Sequence, residues 1–176
     1  MKMELRDGRM AEISFLAKTD SVREFMGYIN ALVEEDAKIH FDRKVSLKEE
    51  KKWKADSLAS MKKNEGYVLV ARVGGRIAGV SNAHRERLRT RGNVFLGLSV
   101  AKPFRRIGLG ETLMRANIAA AKKFFKPKSD IIYLSVFGNN KPAISLYQKL
   151  GFRMFAAFPD WIPYKKKRVD VIFMKL

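Results

Sequence analysis

The sequence contains no cysteine, which excludes disulfide bonds, zinc–thiolate sites and cysteine nucleophiles together. Acidic residues are also scarce. There are 18 Asp and Glu against 36 Lys and Arg, and the formal net charge is +18. A surface of this charge should attract polyanions: nucleic acid, an acidic membrane face or phosphorylated ligands.

Long hydrophobic runs are missing too, and none approaches the roughly 18 residues that a membrane-spanning helix needs. Residues 1–15 lack the apolar core of a secretory signal, so we expect a soluble, cytoplasmic protein. The 176 residues are 47% hydrophobic, which is enough to bury a core. No linker or repeat divides them, and we expect a single domain over residues 1–176, without a metal site.

Hydrophobic periodicity predicts two early helices, which follow the capping-box spacings Ser21–Glu24 and Ser46–Glu49. Apolar runs predict strands at 67–73, 76–84, 92–101 and 131–137. Helices are predicted from 108 to about 125, ended by Pro127, and from 142 to 150. Closing strands are predicted at 152–158 and 168–174. This order of elements indicates an α/β protein with a mixed sheet and helices on its faces.

A turn that could hold phosphate lies between the strand at 92–101 and the helix that follows it. Gly108 and Gly110 permit close backbone approach, and the free N–H groups of the helix's first turn favour an anion. Arg105 and Arg106 add positive charge. A Rossmann fingerprint would need glycine at Leu113, and no Gly-Lys-Ser/Thr of a P-loop occurs. A plain strand-to-helix turn is the simpler interpretation of this segment.

A second segment with candidate ligand contacts begins at Asn140, about thirty residues further on. Asn140 is a natural N-cap, and Pro142 suits the first turn of a helix. Tyr147 shares a face with apolar residues at helical spacing, and its hydroxyl could reach a ligand. Taken alone, Tyr147 is also explained as a tyrosine at the edge of the core.

Together, the two segments resemble the GNAT superfamily of acyl-CoA-dependent N-acetyltransferases. The residues that carry the resemblance are Arg105-x-x-Gly108-x-Gly110 after Ser99-Val100, and Asn140-x-x-Ala143-x-x-Leu146-Tyr147-x-x-x-Gly151-Phe152. The resemblance extends from about residue 11 to the final hairpin, more weakly in the first half. It implies a mixed, mostly antiparallel central sheet with helices on both faces.

The resemblance also implies a binding site for acetyl-CoA, where the strands at 92–101 and 131–137 splay apart. Backbone groups of Leu98, Ser99 and Val100 would bind the pantetheine arm, and the Asn140 side chain would contact it. Tyr147 would contact the cofactor and protonate the departing thiolate. The pyrophosphate would be held by consecutive backbone N–H groups, those of Arg105, Arg106, Ile107, Gly108, Leu109 and Gly110.

The implied reaction is direct attack of an amine on the thioester in a ternary complex, with a small molecule, a peptide N-terminus or a lysine as acceptor. Relatives often carry a glutamate where this chain has Phe95 or Ser135. The base is therefore open: water, or one of the candidates Glu34, Glu35, Asp36, His84, Glu86 and Asp160. We expect the acidic cluster of Glu34, Glu35 and Asp36 to contact the amine, because it stands out in a basic chain.

Two alternatives to an enzyme stay open. Phe95 and Ser135 would also fit a catalytically silent module that binds coenzyme A. The net charge would fit a nucleic-acid-binding protein, although attraction of CoA phosphates explains it more simply. Three basic clusters are present. Arg85, Arg87, Arg89 and Arg91 alternate and are expected on one face of a strand and its turn. The others are Lys122, Lys123, Lys126 and Lys128, and the hairpin tip at 165–168. The resemblance is also compatible with a homodimer.

Overall fold

A computed structural model describes residues 1–125 and 129–176. Its elements are β1 (Lys2–Glu4), β2 (Met10–Phe15), α1 (Val22–Glu34), α2 (Leu47–Lys62), β3 (Gly66–Val73), β4 (Arg76–Arg85), β5 (Asn93–Val100), α3 (Leu109–Phe124), β6 (Ile131–Phe137), α4 (Lys141–Lys149), β7 (Arg153–Tyr164) and β8 (Lys167–Lys175). Short 3₁₀ turns cover Leu88–Thr90 and Lys102–Phe104. No helix within the described ranges is long and apolar enough to cross a bilayer.

The strands form an eight-stranded sheet in the order β1-β2-β3-β4-β5-β6-β8-β7. Pairing is antiparallel throughout the described sheet except between β5 and β6, which run parallel. Alternate residues of β3 face opposite layers. Val68 and Val70 pack toward α1 and α2, while Leu69 and Ala71 pack toward α3 and α4. The predicted mixed, mostly antiparallel sheet with helices on both faces is confirmed.

The two predicted capping boxes differ in the structure. At α2, Ser46 and Glu49 form the reciprocal pair of side-chain to backbone bonds. At α1, Ser21 accepts from the Glu24 N–H, but the Glu24 carboxylate accepts from the Ile77 N–H at 3.0 Å. The second half of that box is therefore replaced by a bond that ties α1 to β4.

Two sequence predictions need correction. β7 does not end near residue 158. An irregularity between Phe158 and Ile162 lets its pairing with β8 resume and continue to Tyr164. Of the alternating arginines, only Arg85 lies on a strand, because β4 ends there and a 3₁₀ turn follows at Leu88–Thr90, so the strand alternation does not extend to Arg87, Arg89 and Arg91. Lys126, Pro127 and Lys128 lie outside the described residues.

A buried polar network joins α3 to the sheet. The fully buried Asn117 donates from Nδ2 to Ser81 Oγ at 2.7 Å and to the Asn82 carbonyl at 3.0 Å. Its Oδ1 accepts from the Tyr67 hydroxyl at 2.7 Å, and Ser81 Oγ donates to the Gly97 carbonyl at 2.6 Å. Every donor of the amide is used, so the network fixes α3 against β3, β4 and β5.

We expect Asn117→Ala to lower the free energy of unfolding by about 2–3 kcal/mol, because Ser81 Oγ and the Asn82 carbonyl lose the amide that donates to them, while the Tyr67 hydroxyl keeps the Asn117 carbonyl at 2.8 Å. Chemical denaturation of the two proteins measures the difference. Gln148→Ala, an exposed polar substitution on α4, is the control and should change stability by less than about 0.5 kcal/mol. An equal loss in both variants would contradict the role of the network.

Candidate active site

The parallel pairing of β5 with β6 stops early and leaves an opening in the sheet. The paired residues are Asn93–Ile131, Val94–Ile132 and Phe95–Tyr133. Beyond them, β5 stays paired with β4, while β6 continues along β8. Among the described strands, the β6-facing edge of β5 therefore has no partner from Leu96 to Val100. This stretch contains Leu98, Ser99 and Val100, whose contacts with a pantetheine arm stay a prediction.

A run of free backbone N–H groups follows the open end of β5. From Arg106 to Glu111, no N–H group meets an acceptor within residues 1–125 and 129–176. The left-handed conformations of Arg106 (φ 64°) and Gly108 (φ 91°) bring the chain into α3 at Leu109. The helix dipole adds positive potential there, so the run, which we call the amide cradle, suits an anion. It begins one residue later than predicted, because the Arg105 N–H donates to the Lys102 carbonyl.

Of the two arginines predicted for the amide cradle, Arg105 is paired, whereas Arg106 is exposed and forms no ion pair with the described residues. The Arg105 guanidinium donates to the Val100 carbonyl at 2.9 Å and to Glu35, so it braces the loop. Glu111 lies in the first turn of α3, where hydrogen bonds from Lys149 and Arg115 hold its pKa below its usual value. Its negative charge is therefore offset and does not repel an anion in the cradle.

The two glycines of this turn have different environments. Gly108 is required by its backbone, because its φ of 91° strains any side chain. Gly110 faces an apolar wall. A Cβ atom there would lie 3.6 Å from side-chain carbons of both Leu146 and Val100. These are ordinary contact distances, so a small side chain would fit at Gly110, whereas Gly108 is needed for the shape of the amide cradle.

The helix α4 brings the predicted Tyr147 and Asn140 to the same side of the sheet as the amide cradle. Tyr147 is only 6% exposed, and burial raises its pKa to about 12. Its hydroxyl makes no hydrogen bond to any atom of the described chain. Asn140 occupies the N-cap position of α4, but its side chain makes no capping bond with the described residues. Both polar groups are uncommitted, and their contacts with a ligand stay predictions.

The predicted acidic cluster at the end of α1 is neutralised by cations from three different segments. Glu34 pairs with Lys44 at 2.5 Å, Glu35 pairs with Arg105, and Asp36 pairs with Lys165 at 3.3 Å. The cluster is therefore not an isolated acidic surface. Its contact with an amine remains a prediction, weakened by these pairings.

Two other candidates for the base, His84 and Glu86, lie at the closed end of the opening. The Tyr133 hydroxyl donates to Glu86 at 2.6 Å, and the His84 ring lies 5.1 Å from the Phe95 ring, centroid to centroid. Burial lowers the pKa of His84. Both thus lie beside Phe95 and Tyr133, the last β5–β6 pair. Asp160 lies on the exposed strand β7, where its N–H donates to Asp170.

Two residues that sequence reasoning missed lie at the opening. The segment after α1 crosses β6, where His40 Nε2 is 3.4 Å from Ser135 Oγ and the His40 ring is 6.0 Å from the Phe137 ring. Tyr28 of α1 hydrogen bonds Ser99 of β5 at 2.9 Å, and burial raises the pKa of Tyr28. Helical spacing after Phe25 could have indicated Tyr28. Nothing local could have indicated His40, because it lies in an irregular loop.

Comparison with known proteins gives matches in both sequence and structure. Residues 29–152 match the family described as Acetyltransferase (GNAT) family. An N-alpha-acetyltransferase of Sulfurisphaera tokodaii is 30% identical over 102 residues, which are 53% of this chain and 60% of that protein. One from Sulfolobus acidocaldarius is 40% identical over 58 residues, 33% of each. The matched region thus spans less than two thirds of either relative.

Solved structures share the fold. The GNAT acetyltransferase of Streptococcus pneumoniae superposes with a TM-score of 0.82 at 24% identity, covering 94% of this chain and 98% of that one. The protein yncA of Salmonella typhimurium, solved with its cofactor acetyl-CoA, gives a TM-score of 0.80 at 24% identity, covering 94% and 92%. At this identity, the likeness is one of fold.

Proposed function

The chain belongs to the acetyltransferase (GNAT) family, and on that premise we propose that it transfers an acetyl group from acetyl-CoA to a primary amine. The observation that supports this most is the amide cradle from Arg106 to Glu111, which stands at the open edge of β5. A diphosphate fits such a cradle, since several N–H groups and a helix dipole converge on it. The opening between β5 and β6 then receives the rest of the cofactor.

The acetyl-CoA thioester supplies the activated acyl group when it is bound. The residues of this chain hold it and place the amine beside it, and positioning of two reactants can supply much of the rate. In this proposal, backbone groups of Leu98, Ser99 and Val100 align the arm along the part of β5 that β6 does not pair, where the Val100 carbonyl also accepts from Arg105. Asn140, with no capping bond among the described residues, donates its amide to the same ligand.

Tyr147 is the proposed acid. Burial raises its pKa to about 12, so the hydroxyl keeps its proton at neutral pH. A thiolate is the leaving group of this reaction, and a protonated hydroxyl can donate to it. None of the described residues hydrogen bonds to the Tyr147 hydroxyl, so it is available to donate to the thiolate.

We assign the base to His40, which sequence reasoning did not single out. A neutral imidazole can accept a proton from an amine. His40 lies against Ser135, which follows Tyr133 on the same face of β6, just beyond the last β5–β6 pair. Glu35, by contrast, is engaged by Arg105, and Glu86 is engaged by Tyr133. His40 therefore supplies a titratable group at the opening where the chain has no carboxylate at Phe95 or Ser135.

The acceptor we propose is the α-amine of a polypeptide. Two relatives are named N-alpha-acetyltransferases, and this favours the peptide N-terminus over a small molecule or a lysine. An assay with peptides, polyamines and lysine-containing peptides with blocked N-termini tests the choice. Binding of acetyl-CoA without transfer to any of them would favour the silent module instead.

Gly108→Val should weaken binding of coenzyme A at least tenfold. A β-branched residue at φ 91° costs about 1–3 kcal/mol and distorts the amide cradle. Isothermal titration calorimetry measures the affinity. Gly27→Val is the control, since Gly27 lies on an exposed part of α1 with nothing within 4 Å of a Cβ atom. Unchanged affinity in a folded Gly108→Val protein would refute this location for the phosphates.

Tyr147→Phe should reduce kcat about 100-fold, the usual order for loss of a general acid, while coenzyme A affinity stays within about twofold. The wild-type rate should not fall between pH 8 and 10 through this group, because its pKa of about 12 keeps it protonated there. Steady-state kinetics and calorimetry separate the two effects. Full turnover in the variant would remove Tyr147 from the acid role.

His40→Ala should reduce kcat/KM about 100-fold at neutral pH, because the attacking amine then lacks its proton acceptor. Steady-state kinetics of the variant and the wild type measure the loss. His84→Ala is the comparison. If His84→Ala loses this activity while His40→Ala keeps it, the base is not His40.

A further inference from the structure

A group of basic side chains lies at the end of the sheet opposite the amide cradle. β3, β5 and β6 start at this end and β4 ends there, whereas the amide cradle follows the far end of β5. The chain segments that arrive here are the ends of α2 and α3 and the β4–β5 connection. Their exposed cations, which we call the basic end, are Lys62, Lys63, Arg87, Arg89, Arg91, Lys122 and Lys123.

Hydrogen bonds hold these segments against one another. The Arg85 N–H donates to the Glu65 carbonyl at 2.8 Å, which joins the end of β4 to the residues after α2. The Asp130 N–H donates to the Gly92 carbonyl at 2.8 Å, which joins the segment before β6 to the one before β5. The Arg85 guanidinium also lies 5.2 Å from the Phe125 ring centre, just after α3. The basic end is therefore a surface with defined geometry.

The cations of the basic end are not neutralised by the protein. None of them forms an ion pair with a carboxylate in the described ranges, although Glu65 and Asp130 lie nearby. Around the amide cradle, Arg6, Arg9 and Arg105 pair with acids, whereas Lys102 and Arg106 form no ion pair with a described carboxylate. Unpaired like charges repel one another, and this cost is offset when a polyanion binds.

Coenzyme A phosphates do not account for this charge, since the amide cradle proposed for them lies at the other end of β5. From β3 to β6 the basic end spans three strand spacings, roughly 14 Å, comparable to about four successive phosphates of one nucleic-acid strand. Insertion into a membrane surface would call for a broad apolar face beside the cations, whereas only two large apolar side chains, Leu88 and Ile131, are exposed in the described parts of these segments.

We propose that the basic end binds the phosphate backbone of nucleic acid, independently of sequence. Arginine guanidinium groups and lysine ammonium groups bind phosphate oxygens, and no aromatic side chain accompanies Arg87, Arg89 and Arg91 to stack on bases. The surface would hold the enzyme near a nucleic acid while the amide cradle and the opening remain accessible. This proposal does not depend on the proposed acetyl transfer.

The test is fluorescence anisotropy with a labelled 20-nucleotide single-stranded RNA and a 20-base-pair DNA duplex, over a series of salt concentrations and with saturating coenzyme A. The expected result is binding that persists with coenzyme A and weakens as salt rises. The variant Arg87→Gln, Arg89→Gln, Arg91→Gln should bind at least tenfold more weakly. The negative slope of log K against log salt should become less steep by about two. A second variant, Lys62→Gln, Lys63→Gln, Lys122→Gln, Lys123→Gln, should weaken binding similarly.

The matched control is Arg23→Gln, Lys48→Gln, Lys51→Gln, which removes the same charge from exposed positions near the starts of α1 and α2. It should change affinity by less than about threefold. Equal losses in both triple variants would show attraction by net charge alone and overturn the proposal. Displacement by coenzyme A, or binding to phosphatidylserine vesicles but not to RNA or DNA, would also overturn it.

Discussion

The parallel contact between β5 and β6 lasts for only three residue pairs, and the geometry of the candidate site depends on where it stops. Up to Phe95 and Tyr133 the two strands close the sheet. Beyond that pair β8 holds β6 and β4 holds β5, so both strands can separate without losing all their backbone partners. A sheet can tolerate an unpaired inner edge only when each strand is bonded on its other side.

The two faces of the sheet contribute different groups to the opening. On one face, α3 and α4 supply the amide cradle and the buried Tyr147. On the other face, α1 and the segment after it supply Tyr28 at Ser99 and His40 at Ser135. Two reactants could thus approach the same opening from opposite sides. The rigid attachment of α3 through Asn117 keeps the first of these faces in place.

Acidic and basic side chains are unevenly distributed over the protein. Acids concentrate where they brace the site: Glu35 on Arg105, and Glu111 among Arg115 and Lys149. Few acids remain for the starts of β3, β5 and β6, where cations stand exposed. The basic end thus contributes seven cations to the net charge of +18, and the remaining excess is spread over other parts of the surface.

Local sequence determined much of this protein by itself. Periodicity predicted the helices and most strands, because burying one face imposes a spacing of 3.6 or 2 residues. The turn from Arg105 to Gly110 and the segment from Asn140 to Phe152 identified the family, and they also located the amide cradle to within one residue. These features depend on neighbours in the chain, so they can be read without knowing the fold.

Tertiary structure alone decided the rest. Glu34, Glu35 and Asp36 look like an acidic cluster in sequence, yet Lys44, Arg105 and Lys165 neutralise them from other segments. His40 reaches Ser135 across 95 positions, and the basic end gathers residues from three separate segments. Such contacts arise from the order of strands in the sheet and from the packing of helices on it. No local pattern encodes them, because the partners meet only after the chain has folded.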